Sequence, residues 1–446
     1  MRTRGRLEVC VLIALLLGAC AQDPNVKKQQ YLERGLAYQN EAKYNEAILQ
    51  LKNALQIDPK FAPALHAIGR AYRAKSWSVD AMRELQRAVE LEPDNLEARA
   101  DLAQAYLDLD GWNAALEQAD AMGGRVPETA AELYVRAAAL NGKGDAQQAV
   151  TLLSKGLALG SGTPELQRAL GDSLAILGRQ REAEKAYRDA LARRPKYPDA
   201  LIGLSALLLR QGQRDAALEL VTQAKAVAPQ SPKVAMASSE IHARDGKLAD
   251  AIKDLETLPR QAWSPRVLVV LGGYYVRAGE HEKAVLTLRP LAQSLPDALV
   301  VRYLLGHASL GRNRVDDAVA DFQAIVTRAP DNPLFRYSLG SAYLAGGRAR
   351  EALREFAAIA KPMEKVGEFH LQVSRAHLRL GDFDRAVKSA QIATGLMPQS
   401  AQPYGVLGAI YIAHGDLKRA EDTYAKAVEV DPSFAPSQST SQRGKR

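Results

Sequence analysis

Seven histidines, two cysteines and a scatter of arginines are the side chains of this 446-residue chain best equipped for chemistry. His370 and His377 stand two turns apart on one helix face, a spacing that could begin a metal site. No third ligand stands beside them at metal-binding spacing. His242 and His377 occupy a place held elsewhere by Tyr72 and Tyr275, which reads as packing. No serine stands in a nucleophile-elbow context, and no glycine-rich run is followed by Lys-Ser or Lys-Thr, the arrangement that cradles phosphates. Gly160-Ser161-Gly162 reads as a linker. Asp316-Asp317 reads as a helix-start pair favoured by the dipole. No metal, no cofactor and no catalytic residue is expected, so the chain is read as not being an enzyme.

The cysteines point to a different chemistry. Arg2, Arg4 and Arg6 precede a short apolar run over residues 9–17. At roughly 1.5 Å rise per residue this run cannot cross a ~30 Å hydrocarbon core, but it has the length of a signal-peptide apolar region. It ends Leu17-Gly18-Ala19-Cys20, which resembles the lipobox of bacterial lipoproteins. The resemblance implies a signal peptide over residues 1–19 and diacylglycerol on the Cys20 thiolate. It also implies a membrane anchor of several acyl chains. Cys10 leaves with the signal, so Cys20 has no partner for an internal disulfide. The residue after Cys20 is Ala21 and not the aspartate that resembles an inner-membrane retention signal, which implies the outer membrane, periplasmic face.

Net charge is +8, but residues 1–19 contribute +2 and the polar tail 435–446 contributes +3, leaving +3 on the body. So small an excess argues against bulk binding to nucleic acid. Apolar residues make up 47% and aromatics 6%, so alanine and leucine must supply the core. That composition suits helices packed closely through small side chains.

The elements that position these residues recur. Alanine stands at one place in twelve units: Ala47, Ala81, Ala115, Ala149, Ala183, Ala217, Ala251, Ala284, Ala318, Ala352, Ala386 and Ala420. The spacing is 34 residues, except for one of 33 between Ala251 and Ala284. Twelve residues before it lie Gly35, Gly69, Gly171, Gly272, Gly306, Gly340 and Gly408. Proline such as Pro59, Pro93 or Pro432 stands twelve residues after it. Within a unit, Leu65, Ile68, Gly69 and Tyr72 mark one helix face, and Ala81, Leu85 and Ala88 a second. Gly69 and Ala81 let the two helices approach, and Pro93 ends the second. One pair cannot bury its apolar face alone, so neighbours must stack.

This pattern resembles the tetratricopeptide-repeat family over residues 28–434. It implies an all-α, right-handed superhelical solenoid of about twelve 34-residue helix-turn-helix repeats. Residues 20–27 are expected to be a tether and 435–446 a disordered basic tail. Irregular joints are expected at Gly123-Gly124 and Pro127, at Pro290, where a kink is predicted, and at 259–265, a possible hinge. The family's concave face is lined by positions 5, 9, 12 and 13 of each repeat. Here those places hold His66, Arg70, Arg73, Tyr134, Arg168, Arg210, Arg244, Arg277, Tyr303, His307, Tyr337, Arg375 and Arg379. Arginine outnumbers acid there by eight to three. Position 2 adds Glu97, Glu165, Asp199 and Glu368, although helix starts favour acids anyway. The paired Lys/Asn pattern of carboxylate-clamp repeats is absent.

Residues 47–56, AILQLKNALQ, also resemble the first repeat of lipoproteins linked to exosortase and exopolysaccharide loci. The expected function is a membrane-anchored scaffold for protein–protein interactions in envelope assembly or export, whether of exopolysaccharide, pilus or secretion type. Its partners would be proteins of that machine or an anionic polymer, and not nucleic acid. The alternative is a periplasmic chaperone that binds and guides polysaccharide. Trp77 and Trp112 fall near inter-helix turns, which ranks that alternative second.

Overall fold

The computed structural model describes residues 23–123, 129–158 and 162–434. The signal segment, Cys20, Gly124, Pro127 and the tail 435–446 lie outside them. Among the described residues there are 24 α-helices, one 3-10 turn and no strand. The chain divides into two compact units, residues 1–267 and 268–446.

In unit 1 each repeat is an antiparallel helix pair. The pairs begin with α1 (Pro24–Asn40) and α2 (Tyr44–Ile57), then α3 (Ala62–Ala74) and α4 (Ser78–Leu91). Next come α5 (Leu96–Leu107) with α6 (Trp112–Met122), and α7 (Ala130–Gly142) with α8 (Ala146–Ala158). They continue with α9 (Pro164–Ile176) and α10 (Gln180–Arg193), then α11 (Pro198–Arg210) and α12 (Arg214–Val227). The last pair is α13 (Pro232–Arg244) and α14 (Leu248–Glu256). The first helices of successive repeats touch one another, so they form one continuous inner layer.

Helix α15 (Pro265–Arg277) begins just before the unit boundary. Unit 2 continues with α16 (His281–Ser294), α17 (Leu299–Gly311), α18 (Val315–Arg328) and α19 (Pro333–Ala345). It ends with α20 (Ala349–Ala358), α21 (Gly367–Arg379), α22 (Phe383–Leu396), α23 (Ala401–His414) and α24 (Leu417–Val430). No helix among the described residues is long and apolar enough to cross a membrane.

Repeat positions translate directly into packing. Eleven of the twelve key alanines are fully buried, and Ala420 is 3% exposed. The small residue twelve places earlier makes room for a large one across the hairpin. A Cβ on Gly69 would lie 2.4 Å from Leu85, and one on Gly306 2.5 Å from Phe322. Tyr187, Phe356 and Tyr424 fill the same place against Gly171, Gly340 and Gly408. Where serine or alanine replaces glycine, as at Ser205, Ser374 and Ala103, the facing residue is Val221, Ala390 or Ala119, none of them aromatic.

Three expectations need correction or detail. The first helix starts at Pro24, four residues before the expected repeat start, because the Asp23 side chain caps it, accepting from the Asn25 N–H at 2.9 Å. Residues 24–27 are therefore helix and not tether. Helix α16 runs through Pro290 without a break. That residue is exposed, so the carbonyl it cannot satisfy can meet water. Near residue 260, α14 stops after nine residues and Pro259 leads into a 3-10 turn, Arg260–Ala262. The Trp263 indole closes the joint by donating to the Leu258 carbonyl at 3.1 Å, with Arg260 stacked 3.9 Å over its ring.

A further regularity lies in the turn between paired helices. Its fifteenth-position residue has positive φ in all twelve repeats. Eight are glycine, from Gly144 to Gly415; the other four are Ala42, Ser76, Asp110 and Asn313.

Candidate functional site

The inner layer of unit 1 encloses a cavity of about 650 Å³. Helices α3, α5, α7, α9, α11 and α13 each give it a wall, so its contents must touch several repeats at once. Arg73, Tyr134 and Arg168, all expected on the concave face, line it together. His66 and Arg70 sit beside it on a shared carboxylate. His66 Nε2 is 2.9 Å from Asp101, Arg73 donates to Asp101 at 2.8 Å, and Arg70 stands 3.9 Å from it. Arg210 and Arg244 line no part of the cavity. Arg210 is exposed, and Arg244 pairs with Glu240 at 2.7 Å.

The arginine excess does not survive in three dimensions inside this cavity. Arg73, Arg168, Lys233 and Arg266 line it, and so do Asp108, Asp110, Asp172 and Asp199. Arg168 is ion-paired with Asp172 and donates to the Tyr134 hydroxyl at 2.9 Å. The Tyr187 hydroxyl donates to Asp172 at 2.8 Å from behind. Burial raises the Asp172 carboxyl above its ordinary range, with Arg168 and the Tyr187 hydroxyl opposing. Lys233 pairs with Asp108 at 3.3 Å. Asp108 and Asp199 raise its ammonium above the usual range, against burial.

Asp199 makes no hydrogen bond or ion pair of its own among the described residues. Burial pushes its carboxyl up, but Lys233, Arg168 and Arg73 outweigh that and hold it below the ordinary range. It is therefore an ionised acceptor with cations around it and none in contact.

Sequence reasoning missed Lys233, Asn141 and Arg266 and passed over Asp199 and Trp112. Asp199, Lys233 and Arg266 share position 2, where an acid reads as a helix-start preference. The signal that could have found them is the mixed sign of that position in consecutive repeats. Trp112 does lie at an inter-helix turn, but its ring packs on Gly142, where a Cβ would come within 2.2 Å, and it forms part of the cavity wall.

In unit 2 the expected residues form an aromatic face. Tyr303 meets His307 edge-on at 4.5 Å and packs near Phe322 and Phe335. Tyr337 leans on Phe356 at 6.1 Å. Burial lowers the His307 imidazole and raises the Tyr337 hydroxyl. Arg277 lies over Tyr274 at 5.8 Å. Arg375 reaches Glu368 only at 3.9 Å, and Arg379 is exposed. No group of three or more His, Cys, Asp or Glu among the described residues could hold a metal.

Comparison with family models agrees with this architecture. Models of the tetratricopeptide repeat match residues 31–61, 134–198, 174–241, 303–363 and 374–435, together more than half of the chain. A stretch of 207 residues, 41% of this chain, is 31% identical to the cellulose synthase operon protein C of Pseudomonas fluorescens. Another 90 residues, 20% of this chain, are 29% identical to tetratricopeptide repeat protein 37 of Xenopus laevis. The chain spans only 16% and 6% of the lengths of these two relatives. A chain of the APC/C hetero-tetramer Cut9–Hcn1 aligns over 95% of this chain and 99% of its own, at 13% identity and a TM-score of 0.46. A tetratricopeptide repeat protein from Parabacteroides merdae aligns over 55% of this chain and 98% of its own, at 15% identity and a TM-score of 0.44. With its helix pairs, buried alanines and matched segments, this chain belongs to the tetratricopeptide-repeat family, whose members bind protein partners.

Proposed function

We propose that this chain is a lipid-anchored scaffold of an envelope export machine, tethered through Cys20 to the outer membrane and docking an acidic protein segment on the inner face of unit 2. The observation that carries the docking surface is the grouping of half-buried Tyr303 and Tyr337 with Arg375 and Arg379 on first helices of neighbouring repeats. Tyrosine and arginine concentrate binding energy at protein interfaces. Arg375 is loosely paired and Arg379 makes no ion pair among the described residues, so both can receive carboxylates. The similarity to a cellulose synthase operon protein supports polymer export as the machine's task. A second reading, direct contact with the exported polymer, is favoured by Trp112 in the cavity wall of unit 1.

Two experiments test the scaffold. Metabolic labelling with an acyl probe should mark the wild type in the outer-membrane fraction and leave Cys20→Ala unmarked; equal labelling sinks the anchor. A photocrosslinking residue at Tyr337 should capture a partner that Arg375→Ala and Arg379→Ala release. If capture occurs only from the second helices, for instance at exposed Leu286, the docking face is wrong.

A further inference from the structure

The cavity of unit 1 contains hydrogen-bonding capacity that its own wall leaves unused. Arg73 Nε, Arg168 Nε and Asn141 Oδ1 are buried without a hydrogen-bond partner in the protein. Asn141 spends its amide on Ser173, donating to the hydroxyl at 2.9 Å, which leaves the carbonyl oxygen to accept. Asp199 adds an ionised carboxylate with no contact of its own. Donors and acceptors are thus interleaved, while the formal charges of the wall cancel.

This balance decides between ligand classes. Arg73, Arg168 and Lys233 are already paired with Asp101, Asp172 and Asp108. Arg266, unpaired among the described residues, is offset by the likewise unpaired Asp110 and Asp199, so neither an anion nor a cation meets a net excess of opposite charge on the wall. A neutral polyol loses nothing to that arrangement. Each hydroxyl both donates and accepts, so neighbouring hydroxyls can give to Asp199 and Asn141 and take from the arginine Nε groups. The Trp112 ring, half-buried against Gly142, supplies an apolar wall for the C–H face of a sugar. Its volume lies in the range of small-molecule sites and has room for about three or four sugar rings. Two of the four repeats that keep a side chain at the positive-φ turn position, Ser76 and Asp110, place that residue on the cavity wall.

We infer that this cavity binds a short stretch of neutral polysaccharide, with Asp199, Asn141, Arg73 and Arg168 on its hydroxyls and Trp112 on a ring face. The inference rests on the polymer-contact reading and not on the lipid anchor or the unit 2 docking face.

Calorimetric titration of the purified full-length protein tests it. The probes are neutral tetramers of glucose in β-1,4 and β-1,3 linkage and of N-acetylglucosamine, an anionic uronate tetramer and an extended acidic peptide. At least one neutral tetramer should bind, with a change in tryptophan fluorescence. Its affinity should move by less than about twofold between low and high salt, because no net charge is neutralised. Asp199→Asn and Asn141→Ala should each weaken it by about tenfold, the loss of one charge-assisted or buried hydrogen bond. Asp199→Asn keeps the side-chain shape, so it should retain the wild-type helix content and a cooperative unfolding transition, shifted only by the lost attraction to Lys233, Arg168 and Arg73. Failure of every neutral tetramer, or binding indifferent to both substitutions, overturns the inference. Binding of the uronate alone would make the cavity an anion groove, and binding of the peptide alone a protein-segment groove. Either also overturns it, while acyl labelling and crosslinking from Tyr337 judge the scaffold separately.

Discussion

Asp101 shows how one carboxylate organises a repeat interface. It joins His66, Arg70 and Arg73 of α3 from its place on α5. Burial pushes its carboxyl up, but the His66 hydrogen bond and the arginines prevail and hold it below the ordinary range. A carboxyl depressed on folding stabilises the fold above its unfolded pKa of about 4, and that contribution disappears as pH falls through the folded value. Asp101→Asn should therefore cost about 1–3 kcal/mol near neutral pH and much less in acid, measured by urea unfolding at both pH values. A cost independent of pH would contradict the ionic account. The turn residues yield a second expectation. Ala42 holds a φ of 56°, which glycine adopts without strain. Ala42→Gly should stabilise by roughly 0.5–1 kcal/mol, the strain relieved less the added freedom of the unfolded chain. Loss of stability in thermal melts would show that the Ala42 side chain contributes packing.

Among the elements, α16 and α12 make opposite cases. Pro290 deprives α16 of a hydrogen bond on its exposed side. Pro290→Ala should stabilise unit 2 by about 1–3 kcal/mol, somewhat under the full interior-proline cost because solvent already serves the freed carbonyl. In α12, Ala217 is fully buried, and its carbonyl accepts from the Ser205 hydroxyl at 2.8 Å. Ala217→Leu overpacks that contact at about 1–3 kcal/mol. Hydrogen exchange should quicken in α11, α12 and the adjoining repeats, since these helices pack on those of neighbouring repeats. Uniform loss of protection over all described helices would refute nearest-neighbour additivity.

For the whole molecule, additivity becomes visible through the tryptophans. All three, Trp77, Trp112 and Trp263, belong to unit 1. Fluorescence therefore follows unit 1, while far-ultraviolet circular dichroism follows both units. Because cooperativity is local, Pro290→Ala should shift the dichroism transition and leave the fluorescence transition in place. Coincident transitions that move together would mean that the two units unfold as one.

The repeat count, the helix pairs, the buried alanines and the close helix approach at the glycines were legible in the sequence, because each depends on spacings within one 34-residue period. Residues such as Gly306 and Phe322 meet across a single hairpin, so local periodicity carries the information. Asp23 capping Pro24 was equally local, but it lies outside the period and so escaped the pattern. The candidate site is different in kind. Arg73, Tyr134 and Arg168 were legible as inner-face residues, yet their electrostatics were not. Asp101, Asp199 and Lys233 reach them from other repeat positions and from repeats up to five units away, and only stacking decides which charges meet. Local periodicity was enough to specify a tetratricopeptide solenoid. The tertiary structure turned an apparent arginine groove in unit 1 into a charge-balanced cavity, because Coulomb interactions follow distance in space and not position in a repeat.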